Sequence, residues 1–307
     1  LQLTLKYRPT TLDDVVGQTE TVKTLSAELK NGEVSQCMLF VGPAGTGKTT
    51  IARIVANELD AEIFELDAAS NNGIENIRQL QDEAIKKSIV KKCKCYLIDE
   101  CHSLSTPAWQ ALLKIVEEPP ENVYFIFCTT ESNKIPITIL SRVQRFEFLP
   151  LVTEQIVHRL DYIAYTENCS TKFGESLDYI ASISHGCMRQ AINYFDKCIS
   201  ANISDIEDVK ALLGVDYGKY ISAFLGACDD NDTAVGVKVI KQLNDNGANL
   251  KFFISSCFSV ALNAAVDSLS SGAEVYLDTL QFILELKEHL MNENMPYEYI
   301  VSKILLR

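Results

Sequence analysis

The sequence predicts an α/β domain with a parallel five-stranded sheet, followed by a small helical lid domain and an all-helical third domain. Three observations lead there. Strand-like apolar runs alternate with segments of helical spacing up to residue 150, the strand signal then stops, and a glycine-rich loop joins the first run to a helix. Such alternation implies crossover helices, which cover both faces of a parallel sheet.

The runs Cys37 to Val41, Glu62 to Leu66, Cys95 to Ile98 and Val123 to Cys128 are rich in Val, Ile, Leu and aromatics and read as buried strands, with a fifth at Gln144 to Phe148. Helical spacing lies between them at about 48 to 58, 74 to 88 and 107 to 117. After Pro150, amphipathic segments at about 153 to 168, 174 to 184, 187 to 200 and 204 to 213 make up a lid domain over residues 151 to 214. Gly214 and Gly218 bracket a break. Helical patterns then resume at about 217 to 228, 232 to 246, 249 to 270, 275 to 291 and 297 to 306, giving a third domain over 215 to 307. A length of 307 residues fits several cores better than one.

With 47% hydrophobic and 22% charged residues, the composition is that of a folded globular protein. The longest apolar stretches, such as Val260 to Val266, are interrupted by polar residues and fall short of the roughly 18 to 20 needed to span a bilayer. The first residues lack the charged start, apolar run and cleavage site of a secretory signal. The expectation is a soluble, cytoplasmic protein without a membrane partner. Ten cysteines without regular spacing, often inside apolar runs, read as reduced core residues and not as a disulfide framework. A formal charge of −13, with the acid excess mostly in the second half, argues against nucleic acid coating the whole surface and leaves room for a local face.

The chemistry concentrates in Gly42, Pro43, Ala44, Gly45, Thr46, Gly47, Lys48, Thr49 and Thr50, a phosphate-loop pattern that follows a strand and opens a helix. Glycines let backbone N–H groups turn towards phosphates, and the helix adds its positive dipole end. Lys48 would reach the β- and γ-phosphates, with Thr49 and Asp99 on Mg²⁺. Asp99 and Glu100 end an apolar strand, at the edge where parallel sheets bind ligands. There Glu100 can polarise a water for attack on the γ-phosphate. ATP and Mg²⁺ are therefore expected, with hydrolysis to ADP and phosphate.

Competing chemistry finds little support. His102, His158, His185 and His289 form no HExxH pair and read as surface or packing residues, and there is no Gly-x-Ser-x-Gly elbow. Cys93 and Cys95 form a lone CxC without a second pair at zinc-site spacing. The basic run from Lys86 to Lys94 reads as a solvated face.

Beyond the loop, further strings resemble the ATPases of clamp loaders, a branch of the AAA+ class. Lys6-Tyr-Arg-Pro9 and Asp13-Asp-Val-Val-Gly-Gln18 resemble the family's entry segment, which lies against adenine; the resemblance assigns Tyr7, Arg8, Pro9, Val16 and Gly17 to the nucleotide. Asp67-Ala-Ala-Ser-Asn-Asn-Gly73, Asp99 to Leu104, Leu112 to Pro120 and Ile135 to Arg142 resemble, in this order, the gamma/tau subunit of the bacterial DNA polymerase III clamp loader. The same resemblance implies that Thr130 is sensor 1, with Thr129 the alternative, and that Arg189 in Gly186-Cys-Met-Arg189 is sensor 2. Arg142 would act in trans on the adjacent subunit's nucleotide; Val143 stands where the family has Cys. Leu212-Leu-Gly214 matches the junction to a helical collar for oligomerisation.

A motor subunit of a pentameric loader is then implied, built with companion subunits and copies of itself, whose partners are a sliding clamp and primer-template DNA. ATP would drive clamp opening and DNA binding, and hydrolysis would release the clamp on DNA. Asn72, Gly73 and Arg78 are the DNA-facing candidates. One departure is marked. Asn57 to Ala61 runs straight through where the family carries a four-cysteine zinc module, so no structural zinc is expected, and the shorter form resembles replication factor C small subunits and suggests a divergent or viral member. The rival readings are a non-hydrolysing structural subunit, a branch-migration AAA+ remodeller and a protein-interaction module.

Overall fold

The computed structural model describes residues 2–86, 91–169, 173–213, 217–245, 248, 250–271, 277–290 and 296–306. They fall into two compact units, Leu1–Ile206 and Glu207–Arg307. In the first, strands β1 (Cys37–Val41), β2 (Ala61–Asp67), β3 (Cys93–Asp99), β4 (Val123–Thr129) and β5 (Gln144–Glu147) form one sheet in the order β2-β3-β4-β1-β5. Every pairing is parallel. The expected α/β class with a five-stranded parallel sheet is the observed one.

Strand periodicity explains why the runs look continuously apolar. Along β1, Cys37, Leu39 and Val41 enter one core with α4 (Ile74–Ala84) and α5 (Thr106–Glu117), whereas Met38 and Phe40 enter a second with α2 (Thr19–Asn31) and α3 (Lys48–Glu58). Side chains alternate between faces, and both faces are covered. Helix α2 is missing from the sequence reading because Val22, Leu25 and Leu29 are its sparse apolar stripe among Thr, Glu and Lys. Leu25 is nonetheless fully buried, and Gly32 ends the helix at φ 71°.

Strand β3 begins two residues before its apolar run, which corrects the reading of Lys94 as part of a solvated face. That side chain is 7% exposed; its ammonium donates to the Glu83 carbonyl at 2.6 Å and lies over the Phe64 ring. A long aliphatic stem can be buried when its charged tip finds an acceptor. Residues 87–90 of that basic run lie outside the described residues.

Tyr96, next along β3, stacks between Phe64 and Phe125, with ring centroids 5.0 and 5.4 Å away. Its buried hydroxyl has no hydrogen-bond partner among the described residues. Removing an unsatisfied polar group while keeping the ring is neutral or stabilising. Tyr96→Phe should therefore leave the unfolding free energy unchanged or raise it, by about 1 kcal/mol at most; a marked drop in the melting temperature would mean the hydroxyl has a partner.

The short α6 (Ile137–Leu140) precedes β5, and α7 (Thr153–Thr166), α8 (Glu175–Ser182) and α9 (Met188–Ser200) follow it. The last three pack together through Ile156, Leu160, Ile163, Leu177, Ile180, Ala191 and Phe195, all buried. Helix α10 (Ile206–Leu213) spans the division between the units, and Gly214, read as part of the collar junction, lies outside the described residues. In the second unit, α11 (Tyr217–Asp229), α12 (Thr233–Asp245), α13 (Leu250–Ser271), α14 (Leu277–Leu290) and α15 (Pro296–Leu305) enclose a core around Phe224, Ile240, Phe253, Ile254, Ile283 and Ile300. Among the described residues, no helix is long and apolar enough to cross a membrane.

Candidate nucleotide-binding site

Strand β1 lies between β4 and β5, so the connections leaving it and its neighbours run to opposite sides. A crevice opens at the carboxyl edge of such a switch point. The loop 42–47 fills it and leads into α3. Gly42 donates its N–H to the Thr129 carbonyl at 3.2 Å, and a Cβ on Gly42 would overlap the Phe148 carbonyl. Lys48, 6% exposed, donates from Nζ to the carbonyls of Gly42 (2.7 Å) and Pro43 (2.9 Å). Burial holds its ammonium below the usual lysine range.

Strand β3, on the far side of β4 from β1, supplies the acids. The Thr49 hydroxyl donates to Asp99 Oδ2 at 2.7 Å, and the Glu100 N–H donates to Asp99 Oδ1 at 3.0 Å. Glu100 adopts φ 48°, a left-handed conformation uncommon outside glycine that tends to gather at functional sites. Its Oε2 is buried and has no hydrogen-bond partner among the described residues.

His102, read with the other three histidines as a surface or packing residue, is largely buried. It sits beside Glu100 at 15% side-chain exposure, with Nδ1 3.4 Å from Glu100 Oε2 and Nε2 3.2 Å from Glu131 Oε1. The string Asp99 to Leu104 contains it, but the sequence reading gave the histidine no role of its own, since a lone histidine two residues beyond an acidic pair has no distinctive spacing.

The entry segment and the helices after β5 close the other side. Asp14 accepts the Thr11 hydroxyl (2.9 Å) and the Thr11 N–H (3.2 Å), shaping the turn before Val15 and Val16. Those bonds lower the Asp14 pKa. Gln18 ties this turn to the loop and to the segment after β5: its Nε2 donates to the carbonyls of Thr46 (3.3 Å) and Leu149 (2.7 Å), and its Oε1 accepts the Leu149 N–H. The segment is also fastened to α7 and α9. Leu3 N–H donates to Asp196, Lys6 and Tyr7 both donate to Glu167, and Arg159 donates to the Tyr7 carbonyl at 2.8 Å.

Together these elements line one cleft. It gathers Tyr7, Arg8, Pro9 and Val16, then Ala44 to Thr50, then Asp99, Glu100 and Arg189. Gly17, Gly42, Pro43, Thr130 and Arg142 are not among its lining residues. Gly17 instead packs under Leu151, while Gly42 and Pro43 hold Lys48. Thr129 is fully buried and accepts the Glu131 N–H through its hydroxyl, and the polar contact to His102 is likewise through Thr129. Burial, with Arg53 and Arg189 nearby, holds Arg8 below the usual arginine range. Neither Arg8 nor Arg189 forms an ion pair among the described residues. Two guanidinium groups and a buried ammonium bonded only to carbonyls leave positive charge facing the cleft, which suits a polyanion.

Gly45, at φ 72°, has no room for a side chain because a Cβ would overlap the Cys187 sulfur, just ahead of Arg189. Gly45→Ala should therefore push α9 off the loop and weaken nucleotide binding about tenfold, the equivalent of 1.4 kcal/mol, as read from a fluorescent ATP analogue. Adding Cys187→Ala should recover part of the loss. Strict additivity of the two changes would exclude this contact as the cause.

A family model described as DNA polymerase III, delta subunit, matches residues 59–152. DNA polymerase III subunit gamma of Buchnera aphidicola subsp. Baizongia pistaciae is 30% identical over 333 residues, covering 99% of this chain and 90% of that protein. The chain belongs to the DNA polymerase III gamma/tau family. DNA polymerase III subunit tau of Bacillus subtilis is 32% identical over 97% of the chain, but the chain spans only 57% of that relative's length. The gamma/tau fold also resembles a Thermotoga maritima RuvB Holliday junction branch migration motor, with a TM-score of 0.57 at 21% identity over 90% of each chain. At that identity the likeness concerns fold alone.

In this gamma/tau chain α3 and β2 are joined through Leu59 and Asp60 alone. Arg142 follows α6; its guanidinium pairs with Glu117 and donates to the Thr138 carbonyl at 2.6 Å. Of the candidate DNA residues, Asn72 and Arg78 are exposed, Gly73 precedes α4, and Arg78 pairs with Glu75 at 3.2 Å. Thr4, Val15, Ile51, Leu151, Arg159, Met188 and Ile192 also line the cleft, and sequence reasoning passed over all of them. Met188 and Ile192 were within reach, being helical neighbours of Arg189. Leu151 and Arg159 were not, because only the docking of α7 brings them to the loop.

Proposed function

We propose that this gamma/tau chain is the ATP-hydrolysing motor of a clamp loader. The observation that carries the reading is the convergence of Lys48, Thr49, Asp99, Glu100 and Arg189 on one cleft in a chain of this family. Lys48 and Arg189 bind the β- and γ-phosphates, and the entry segment with Tyr7, Arg8 and Pro9 receives the base. The adjacent Thr49 hydroxyl and Asp99 carboxylate are hard oxygen donors suited to Mg²⁺, and their 2.7 Å contact fits such a site. When bound, Mg²⁺ would neutralise charge on the β- and γ-phosphates.

Glu100 then orients and deprotonates a water for in-line attack on the γ-phosphorus; the bond to the β-phosphate oxygen breaks, leaving ADP and phosphate. Thr129 or Thr130 at the end of β4 reads the γ-phosphate. Arg142, outside its own cleft, completes the site of the adjacent subunit in a pentameric ring. In this reading the domains are 1–150 for the motor, 151–214 for the lid and 215–307 for the collar. ATP closes the ring on a sliding clamp and primer-template DNA, with Asn72, Gly73 and Arg78 near the phosphate backbone, and hydrolysis releases both.

The test is ATP turnover by the protein assembled with its companion subunits, measured with and without sliding clamp and primed DNA. Stimulation by both is expected. Turnover that ignores clamp and DNA would remove the loader assignment and leave an ATPase with another task.

A further inference from the structure

The cleft leaves one group unexplained, the imidazole beneath Glu100. His102 lies on the 3₁₀ turn Cys101–Ser103, directly after the strained Glu100. Its ring faces three side chains from two other segments and from its own. Nδ1 is 3.4 Å from Glu100 Oε2 and 3.2 Å from Thr129 Oγ1; Nε2 is 3.2 Å from Glu131 Oε1. Glu131 is itself anchored, by its N–H to the Thr129 hydroxyl at 2.9 Å and by its carboxylate to Lys134 at 2.8 Å. A ring that only filled space would not direct both nitrogens at carboxylates on separate elements.

Resting on the reading of this site as a hydrolytic one, we propose that His102 is a positioning residue for ATP hydrolysis, holding the Glu100 carboxylate against an anchor formed by Thr129 and Glu131. The unsatisfied Glu100 Oε2 is the second observation behind it. Nδ1 is the nitrogen nearest this oxygen, and a small rotation of the carboxylate brings the two into hydrogen-bonding reach. Hydrogen bonds of this kind are often long before substrate binds and tighten afterwards. With Oε2 held by the ring, the other oxygen is free to take a proton from water. The far nitrogen, pinned by Glu131, keeps the ring from following Glu100. A carboxylate left to rotate loses the alignment on which proton transfer depends.

Three substitutions separate this role from packing. His102→Asn keeps an amide near the Nδ1 position, His102→Gln places one near Nε2, and His102→Ala removes both. In the assembled protein with clamp and primed DNA, His102→Ala should keep the dissociation constant for an ATP analogue within about twofold and lower kcat about 10- to 100-fold, the range seen for outer-shell partners of reactive groups. Asn should restore most of that loss and Gln little of it. Full turnover in His102→Ala would overturn the proposal. So would equal rescue by Asn and Gln, or a fall in ATP binding that accounts for the fall in rate, since each marks a ring that serves packing alone. A wild-type assembly that binds ATP without turning it over would instead remove the hydrolytic reading, and this role with it.

Discussion

Replacing Arg142 with alanine should leave ATP affinity near normal and cut clamp- and DNA-stimulated turnover by about 10³ or more, the magnitude associated with arginine fingers. The two halves of that expectation come from different observations. Affinity is spared because Arg142 does not line the cleft of its own chain. Turnover is lost because a guanidinium supplied by a neighbour would stabilise charge that develops only in the transition state. The side chain is already placed, with Glu117 and the Thr138 and Ser141 oxygens holding it at the end of α6. Lysine lacks the planar fork that makes this set of contacts, so Arg142→Lys should restore little. Mixing decides whether the action is in trans. Rings assembled from Arg142→Ala and Lys48→Ala chains should regain part of the activity that neither has alone. If binding fell and turnover per bound ATP did not, the trans role would be abandoned.

The second large effect is expected at Glu100. Glu100→Gln preserves shape and size, so the left-handed backbone and the contacts around it should persist, and ATP should bind as before. Without a carboxylate to accept the proton of the attacking water, kcat should fall by about 10² to 10⁴. The variant should then accumulate with ATP and remain on clamp and DNA, which gel filtration with labelled nucleotide would detect. Rapid hydrolysis by Glu100→Gln would transfer the base role to another group.

What the sequence made legible follows a physical division. Lys48, Thr49, Asp99 and Glu100 were readable because their chemistry depends on short-range order: a loop between strand and helix, and two acids at the end of another apolar parallel strand. The five strands were readable for the same reason, since two covered faces leave an unbroken apolar run. The hidden parts depend on what arrives from elsewhere. His102 gains its meaning from Thr129 and Glu131, which approach it from β4 and the turn beyond. Arg159 and Leu151 reach the cleft only through the docking of α7. Lys94 was misplaced because charge outweighed the strand that contains it, and α2 was passed over because its apolar stripe is thin.

The fastening of the first residues to α7 and α9 has a mechanical consequence. Leu3, Lys6 and Tyr7 are bonded to Asp196 and Glu167, whereas Lys48 opens α3 and Asp99 ends β3. The cleft therefore has one wall built on the sheet and α3 and another in which the first residues are bonded to the helices after β5, so that a movement of those helices would carry the first residues with it. An occupant long enough to touch both walls fixes the angle between them, and one that loses its terminal phosphate gives up part of that hold. Chemistry on a single bond would in this way be read out as rotation.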